Sequence, residues 1–305
     1  MDILIFIISM GALIYGADFI IDESEKIATH FNISSFIIGA TLIALGTSLP
    51  EMAVSMSAAA KGSGDIAVAN VIGSTIFNIA LVLGVVFLIA KDINPHRDLF
   101  AKDSAWSLFP ILIFILMGID GKLSTFDGVI FLIIMAAYLL FLIQSNQIDE
   151  NDDEEDKEKF AWTKTIVLLL IGFVFVVGGA NFAIEAAGNI AREFGVSEWF
   201  IGLFLVAFGT SLPELTVAIK AARANNADMA IGAIIGSNVA NFTMVLGLSS
   251  IITPLNVDLN AYFFDISAAV IVTIMLVFIT ANKLYNKSAG IVLLSVLALV
   301  IANSF

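Results

Sequence analysis

The 305-residue chain contains no cysteine, which excludes disulfides, thiolate metal centres and thiol catalysis. Charge is almost as scarce: charged residues make up 13% of the chain against 59% hydrophobic ones, and the mean hydropathy is +1.00. So little charge excludes an ordinary soluble domain and points to an integral membrane protein. The net charge of −13 offers no basic surface to nucleic acid, because the acids are concentrated in one short run. A basic stretch is also missing after Met1-Asp2, so the first apolar segment is expected to be a retained span and not a leader. There are two histidines, His30 and His96, both near segment ends and expected in loops. Their distance from the acidic residues discussed below weighs against a histidine-based proton relay.

Ten apolar segments fill the chain, at 3–21, 33–60, 65–90, 104–119, 126–144, 164–184, 198–221, 228–250, 261–281 and 287–303. Their lengths suit helices, and they lack the alternation of barrel strands. The second and third are overlong and interrupted by Pro50 and by Gly73-Ser74, which predicts broken helices. Trp106, Trp162 and Trp199 lie near segment boundaries, as interfacial anchors do. Residues 145–163 separate an N-terminal half (1–144) from a C-terminal half (164–305); their acidic run reads as a solvated linker and lacks the spacing of a calcium loop. With ten spans, Lys26, Lys91, Arg97, Lys102, Lys157, Lys159, Lys164, Lys220, Arg223, Lys283 and Lys287 share one side, leaving Lys61, Lys122 and Arg192 on the other. That bias places the linker in the cytoplasm and both termini outside.

One phrase is written twice: Gly46-Thr47-Ser48-Leu49-Pro50-Glu51 and Gly209-Thr210-Ser211-Leu212-Pro213-Glu214. Around it, residues 39–84 align without a gap to 202–247, with 21 of 46 positions identical. Five spans per half is an odd number, so the two copies are expected to be inverted in the membrane. A glutamate in an apolar segment costs several kcal/mol facing lipid, and a functional role is its default explanation. Each Pro removes an N–H from the helix and frees the carbonyl four residues earlier, that of Gly46 in the first copy. At helical spacing Ala44, Ser48 and Glu51 share a face, as Ser74 and Asn78 do; Ala207, Thr210, Ser211, Glu214, Ser237 and Asn241 repeat the pattern. Hard oxygen donors without imidazole or thiolate suit Ca²⁺ or Na⁺. The small residues Gly39, Gly73, Gly84, Gly202, Gly236 and Gly247 read as close-packing positions, not ligands.

These motifs, Gly39 to Glu51 with Gly73-Ser74 and Asn78, and Gly202 to Glu214 with Gly236-Ser237-Asn238 and Asn241, resemble the two α-repeats of sodium/calcium exchangers, most of all the prokaryotic members of the cation/calcium exchanger superfamily. The resemblance implies an all-α membrane protein of ten helices, built as two inverted five-helix repeats with broken helices. It implies that Glu51 and Glu214 serve Ca²⁺ and Na⁺ alike, and that Thr47 and Thr210 contribute to Ca²⁺. Ser48, Ser74, Ser211 and Ser237 would serve Na⁺. Ala44 and Ala207 would offer backbone carbonyls, a choice that differs from the Gly46 carbonyl picked out by proline logic. Asn78 and Asn241 would line the middle of the site, and segments 3–21 and 164–184 would be the moving gate. Some relatives carry Asp where this chain has Asn241; an amide keeps the shape but removes the charge, which argues against K⁺ co-transport.

The expected protein is therefore a plasma-membrane Na⁺/Ca²⁺ antiporter, with Ca²⁺ and Na⁺ as its transported ions. No cofactor, nucleic acid or enzymatic activity is expected, and a monomer is an allowed working unit. A Ca²⁺/H⁺ antiporter on the same scaffold is the main alternative, a passive cation channel a lesser one, and an intramembrane hydrolase the least supported.

Overall fold

The computed structural model of the protein describes residues 1–90, 95, 97–99, 103–145, 160–193 and 207–303. The acidic run of the linker, the start of the seventh apolar segment with Gly202, and His96, Trp199, Lys91, Lys102, Lys157 and Lys159 lie outside the described residues.

Helix α1 (Asp2–Phe31) continues beyond its apolar stretch into a polar end, where Glu23 pairs with Lys26 one turn on at 2.7 Å. It stops at Asn32, whose left-handed backbone (φ 53°, ψ 47°) closes the last turn. His30 lies in that last turn, not in a loop, and stacks on Phe160 with ring centroids 4.1 Å apart. The second segment is two helices, α2 (Ser35–Thr47) and α3 (Leu49–Ala60), bent by 46° at Ser48. Pro50 causes the break but sits in the first turn of α3, where a missing N–H costs nothing.

The third segment corrects the expectation. Helix α4 (Gly64–Ile89) passes through Gly73-Ser74 as regular α-helix, and its irregularity is a π-helical stretch at Phe77–Leu83. Then follow α5 (Ser104–Met117), α6 (Thr125–Gln144), α7 (Trp162–Glu193), α8 (Ala207–Thr210), α9 (Leu212–Arg223), α10 (Ala227–Ile252), α11 (Phe263–Ala281) and α12 (Lys287–Asn303). Among the described residues six helices are long and apolar enough to cross a membrane, or seven with the bent pair counted as one span. A two-residue antiparallel pair, β1 (Lys122–Leu123) with β2 (Leu255–Asn256), ties the α5–α6 and α10–α11 connections together.

The bundle turns a soluble protein inside out. Ile7, Leu140, Leu170, Phe278 and Ile291 face outward, as suits hydrocarbon. Helix α10, by contrast, is buried at every residue from Ala227 to Ala240, Asp228, Ser237 and Asn238 included. Glycines let it approach α2 that closely. Gly39 lies under the Met229 carbonyl, and Gly232 and Gly236 lie against the backbones of Phe36 and Ala40. Gly84 and Gly247 are likewise close-packed, against Leu294 (3.0 Å to a built Cβ) and the Gly128 carbonyl (3.2 Å), whereas Gly73 has open space. Helices α1 and α7 pack as a second intimate pair, with a Cβ on Gly16 landing 2.8 Å from the Gly172 carbonyl.

At the end of the bundle opposite the β-pair, Arg97 gathers four elements. Its guanidinium pairs with the buried Asp103 (Nη2 to Oδ1, 2.9 Å) and donates to Ser145 at the end of α6 (Oγ, 2.8 Å). Its backbone N–H reaches Asp228 on α10 at 3.2 Å, and its charge lies 4.8 Å over the Phe36 ring. Nearby, Lys220 of α9 meets Asp18 of α1 at 2.6 Å, both partly exposed. Exposed pairs contribute at most about 1 kcal/mol. Lys220→Met is therefore expected to shift the thermal midpoint only slightly, and a loss well above that in a melting experiment would mean this pair fixes α1 in place.

Candidate cation site

The two copies of the phrase fold alike. Ser48 (φ −82°, ψ 6°) and Ser211 (φ −90°, ψ 1°) share the same non-helical turn and precede α3 and α9. Pro50 and Pro213 each sit in the first turn of the helix that follows. Glu51 and Glu214 are in those first turns as well, at the positive end of a half-helix. The break thus does two things at once: it opens backbone in the bundle's interior and aims a helix dipole at a carboxylate.

The copies then exchange partners. Ser48 of the first copy donates its hydroxyl to Oε1 of Glu214 at 3.2 Å, and the hydroxyls of Thr47 and Ser237 face the same carboxyl. Thr210 of the second copy and Ser74 of the first face Glu51, and Glu214 is its charged neighbour. Ser237 also reaches the Ala44 carbonyl at 3.4 Å, an oxygen that already accepts the Ser48 N–H at 3.1 Å. Of the two candidate carbonyls, it is therefore Ala44's that the far copy touches. Gly46 serves a different purpose, leaving room for the Phe173 ring of α7. Ala207 begins α8 in the second copy.

Asn78 and Asn241 both lie in π-helical stretches, Phe77–Leu83 and Asn241–Val245. Such bulges rotate the side chains that follow and occur often at functional sites. Burial is close to complete throughout, with Glu51 and Asn241 fully buried and Glu214 2% exposed. Among the described residues several of these oxygens nonetheless lack a well-formed hydrogen bond: both of Glu51, Oε2 of Glu214, Oγ of Ser74 and Ser211, and Oδ1 of Asn78 and Asn241. Orphaned buried acceptors are rare and costly. Here they cluster, all are hard oxygens, and they fit a dehydrated Na⁺ or Ca²⁺. Among the described residues no group of three or more His, Cys, Asp or Glu could hold a metal, so two carboxylates carry the formal charge.

Sequence reasoning passed over two supporting amides. Asn70 donates to the Glu51 carbonyl (3.3 Å) and to Ser55 Oγ (3.0 Å), tying α4 to α3. Asn238 accepts from Asn78 at 3.2 Å. Each stands where the other copy has a different residue, Ala233 and Thr75, and that departure from the repeat was the available signal.

A lipid-facing helical bundle that brings two buried carboxylates together, each on a broken helix, has the architecture of a secondary cation transporter. The chain belongs to the family described as sodium/calcium exchanger protein, which matches residues 1–144 and 164–305. It is 37% identical to membrane protein MJ0091 of Methanocaldococcus jannaschii over 98% of this chain and 96% of that one. Sodium/calcium exchanger MaX1 of Methanosarcina acetivorans is 29% identical over 96% and 95% of the two chains. The solved structure of the sodium–calcium exchanger NCX_Mj superposes with a TM-score of 0.86 at 34% identity, covering 100% of this chain and 99% of the other.

Proposed function

We propose that the protein is an electrogenic antiporter that extrudes Ca²⁺ from the cytoplasm in exchange for Na⁺, independently of K⁺. The observation that carries this reading is the meeting of Glu51 and Glu214, one from each copy, amid buried oxygens that lack hydrogen-bond partners. Charge counting supplies the mechanism. One Ca²⁺ neutralises two carboxylates, whereas three Na⁺ leave one positive charge, worth about 2.3 kcal/mol per 100 mV. A carboxylate pair that is costly to leave bare and cannot hold both loads at once couples the two fluxes.

In this reading Glu51 and Glu214 bind both ions, with Thr47 and Thr210 at Ca²⁺. Ser48, Ser74, Ser211 and Ser237, with the carbonyls of Ala44 and Ala207, serve Na⁺, and Asn78 and Asn241 line the centre. Ten spans form two inverted halves, 1–144 and 164–305, with residues 145–163 in the cytoplasm and both termini outside. The glycine-packed pair α1 and α7 slides across the rest to change access; its close fit suits a unit that moves as one body. Asn241 brings no third charge to the site, which supports K⁺ independence.

The test is Ca²⁺ uptake into Na⁺-loaded liposomes carrying the purified protein, diluted into Na⁺-free buffer with and without K⁺. Uptake that needs the Na⁺ gradient, ignores K⁺, accelerates with an inside-positive potential and slows with an inside-negative one is the expected result, because three Na⁺ leaving for each Ca²⁺ entering carry one net positive charge out of the liposome per cycle. Uptake driven by a pH gradient alone would instead make the glutamates a Ca²⁺/H⁺ pair, and flux without any counter-ion would make the protein a channel.

A further inference from the structure

Aligned at an offset of 163 residues, the copies agree at Ser74 and Ser237 and at Asn78 and Asn241, but beside Ser237 stands Asn238 where the first copy has Thr75. The two residues behave differently. Thr75 turns back on its own helix and donates to the Val71 carbonyl at 2.9 Å. Asn238, fully buried, reaches out of α10 to α4, where its Oδ1 accepts from Nδ2 of Asn78 at 3.2 Å.

That bond matters because an amide has a useful end and a harmful end for a cation: the carbonyl oxygen binds it, and the NH₂ group repels it. Among the described residues the Asn78 oxygen has no hydrogen-bond partner, so its link to Asn238 is what sets the orientation of the side chain. The reverse pairing would engage the Asn78 oxygen and turn its NH₂ on the ions. Asn241 has no such support among the described residues, where neither atom of its amide has a partner. We propose that Asn238 is a positioning residue: by accepting the Asn78 N–H across the α4–α10 contact, it leaves the Asn78 carbonyl oxygen as the end presented to the transported cation. The proposal rests on the reading of Asn78 as an ion ligand.

In proteoliposomes Asn238→Ala is expected to raise the half-saturating Ca²⁺ concentration about tenfold, the scale of one lost buried hydrogen bond, with a smaller change in maximal rate. Asn238→Asp still accepts the Asn78 N–H and is expected not to raise it. In an Asn78→Asp background the effect of Asn238→Ala is expected to disappear, because a carboxylate presents an oxygen whichever way it turns. A packing role would persist in that background. Equal weakening by Ala and Asp at 238, or an undiminished effect beside Asn78→Asp, overturns the proposal. Asn78→Ala separates the two levels of inference. If it binds Ca²⁺ like the parent, Asn78 is no ligand and the site assignment fails; if it weakens binding while Asn238→Ala does not, the assignment stands and the positioning role falls. For a variant too slow to give a rate, the Ca²⁺-dependent rise in thermal midpoint of the detergent-solubilised protein reads the same affinities and shows that it is folded.

Discussion

Glu51→Gln and Glu214→Gln are each expected to abolish Ca²⁺ uptake while leaving a folded protein. The loss follows from charge in a dry site. A unit charge pair at 4 Å and an effective dielectric of 20 interacts by about 4 kcal/mol, roughly a thousandfold in affinity, and Ca²⁺ carries twice that charge. Glutamine keeps the shape and one oxygen, so it tests charge alone. Folding should not suffer, because among the described residues neither buried glutamate has a cationic partner and Glu51 lacks a well-formed hydrogen bond. Replacing a bare buried charge by a neutral amide relieves desolvation. In ion-free buffer the variants should therefore melt no lower than the parent, while the rise in midpoint on adding Ca²⁺ disappears. A variant that folds, is still stabilised by Ca²⁺ and transports at the parental rate would remove that glutamate from the mechanism.

How much of this was readable in advance depends on the kind of signal. The breaks at Ser48 and Ser211 follow from Pro50 and Pro213, since a missing N–H acts locally and can be read from a single strand of sequence. The glutamates stood out because apolar flanks make a charge conspicuous. The interruption expected at Gly73-Ser74 did not occur, because glycine lowers helix propensity without forbidding a helix, and the interior packing of α4 overrides so small a preference. Which copy's hydroxyl faces which carboxyl was not legible. Thr47 is four residues before Glu51 yet faces Glu214, and Thr210 is four before Glu214 yet faces Glu51. Periodicity within one helix places residues on a face but says nothing of the partner across it. The choice of the Ala44 carbonyl over that of Gly46 is of the same kind, decided by Ser237 from the other copy. Residues 202–206, the start of the second copy, lie outside the described residues.

The crossing of copies makes the α2–α10 contact the most consequential packing surface, and Gly236 tests it. A methyl added there would meet the Ala40 backbone, with its Cα at 2.6 Å and its carbonyl carbon at 2.7 Å from the new Cβ. Backbone cannot turn aside as a side chain can, so Gly236→Ala must push α2 away from α10. Overpacking of this kind costs about 1–3 kcal/mol, and stability should fall accordingly in a thermal melt. Transport should fall further than stability, for a geometric reason. Ser237 follows directly, and its 3.4 Å reach to the Ala44 carbonyl has no slack. A shift of even 1 Å at Gly236 would separate the hydroxyls of α10 from the carbonyls of α2 and widen a site whose proposed ligands come from both. Ca²⁺ and Na⁺ should then both bind more weakly, the smaller change falling on Ca²⁺, whose coordination is the more flexible. Gly73→Ala is the matched comparison: same motif, same residue type, but open space around the new methyl, and therefore near-parental stability and flux. Equal damage from the two substitutions would show that helix propensity, not the approach of two backbones, governs both positions.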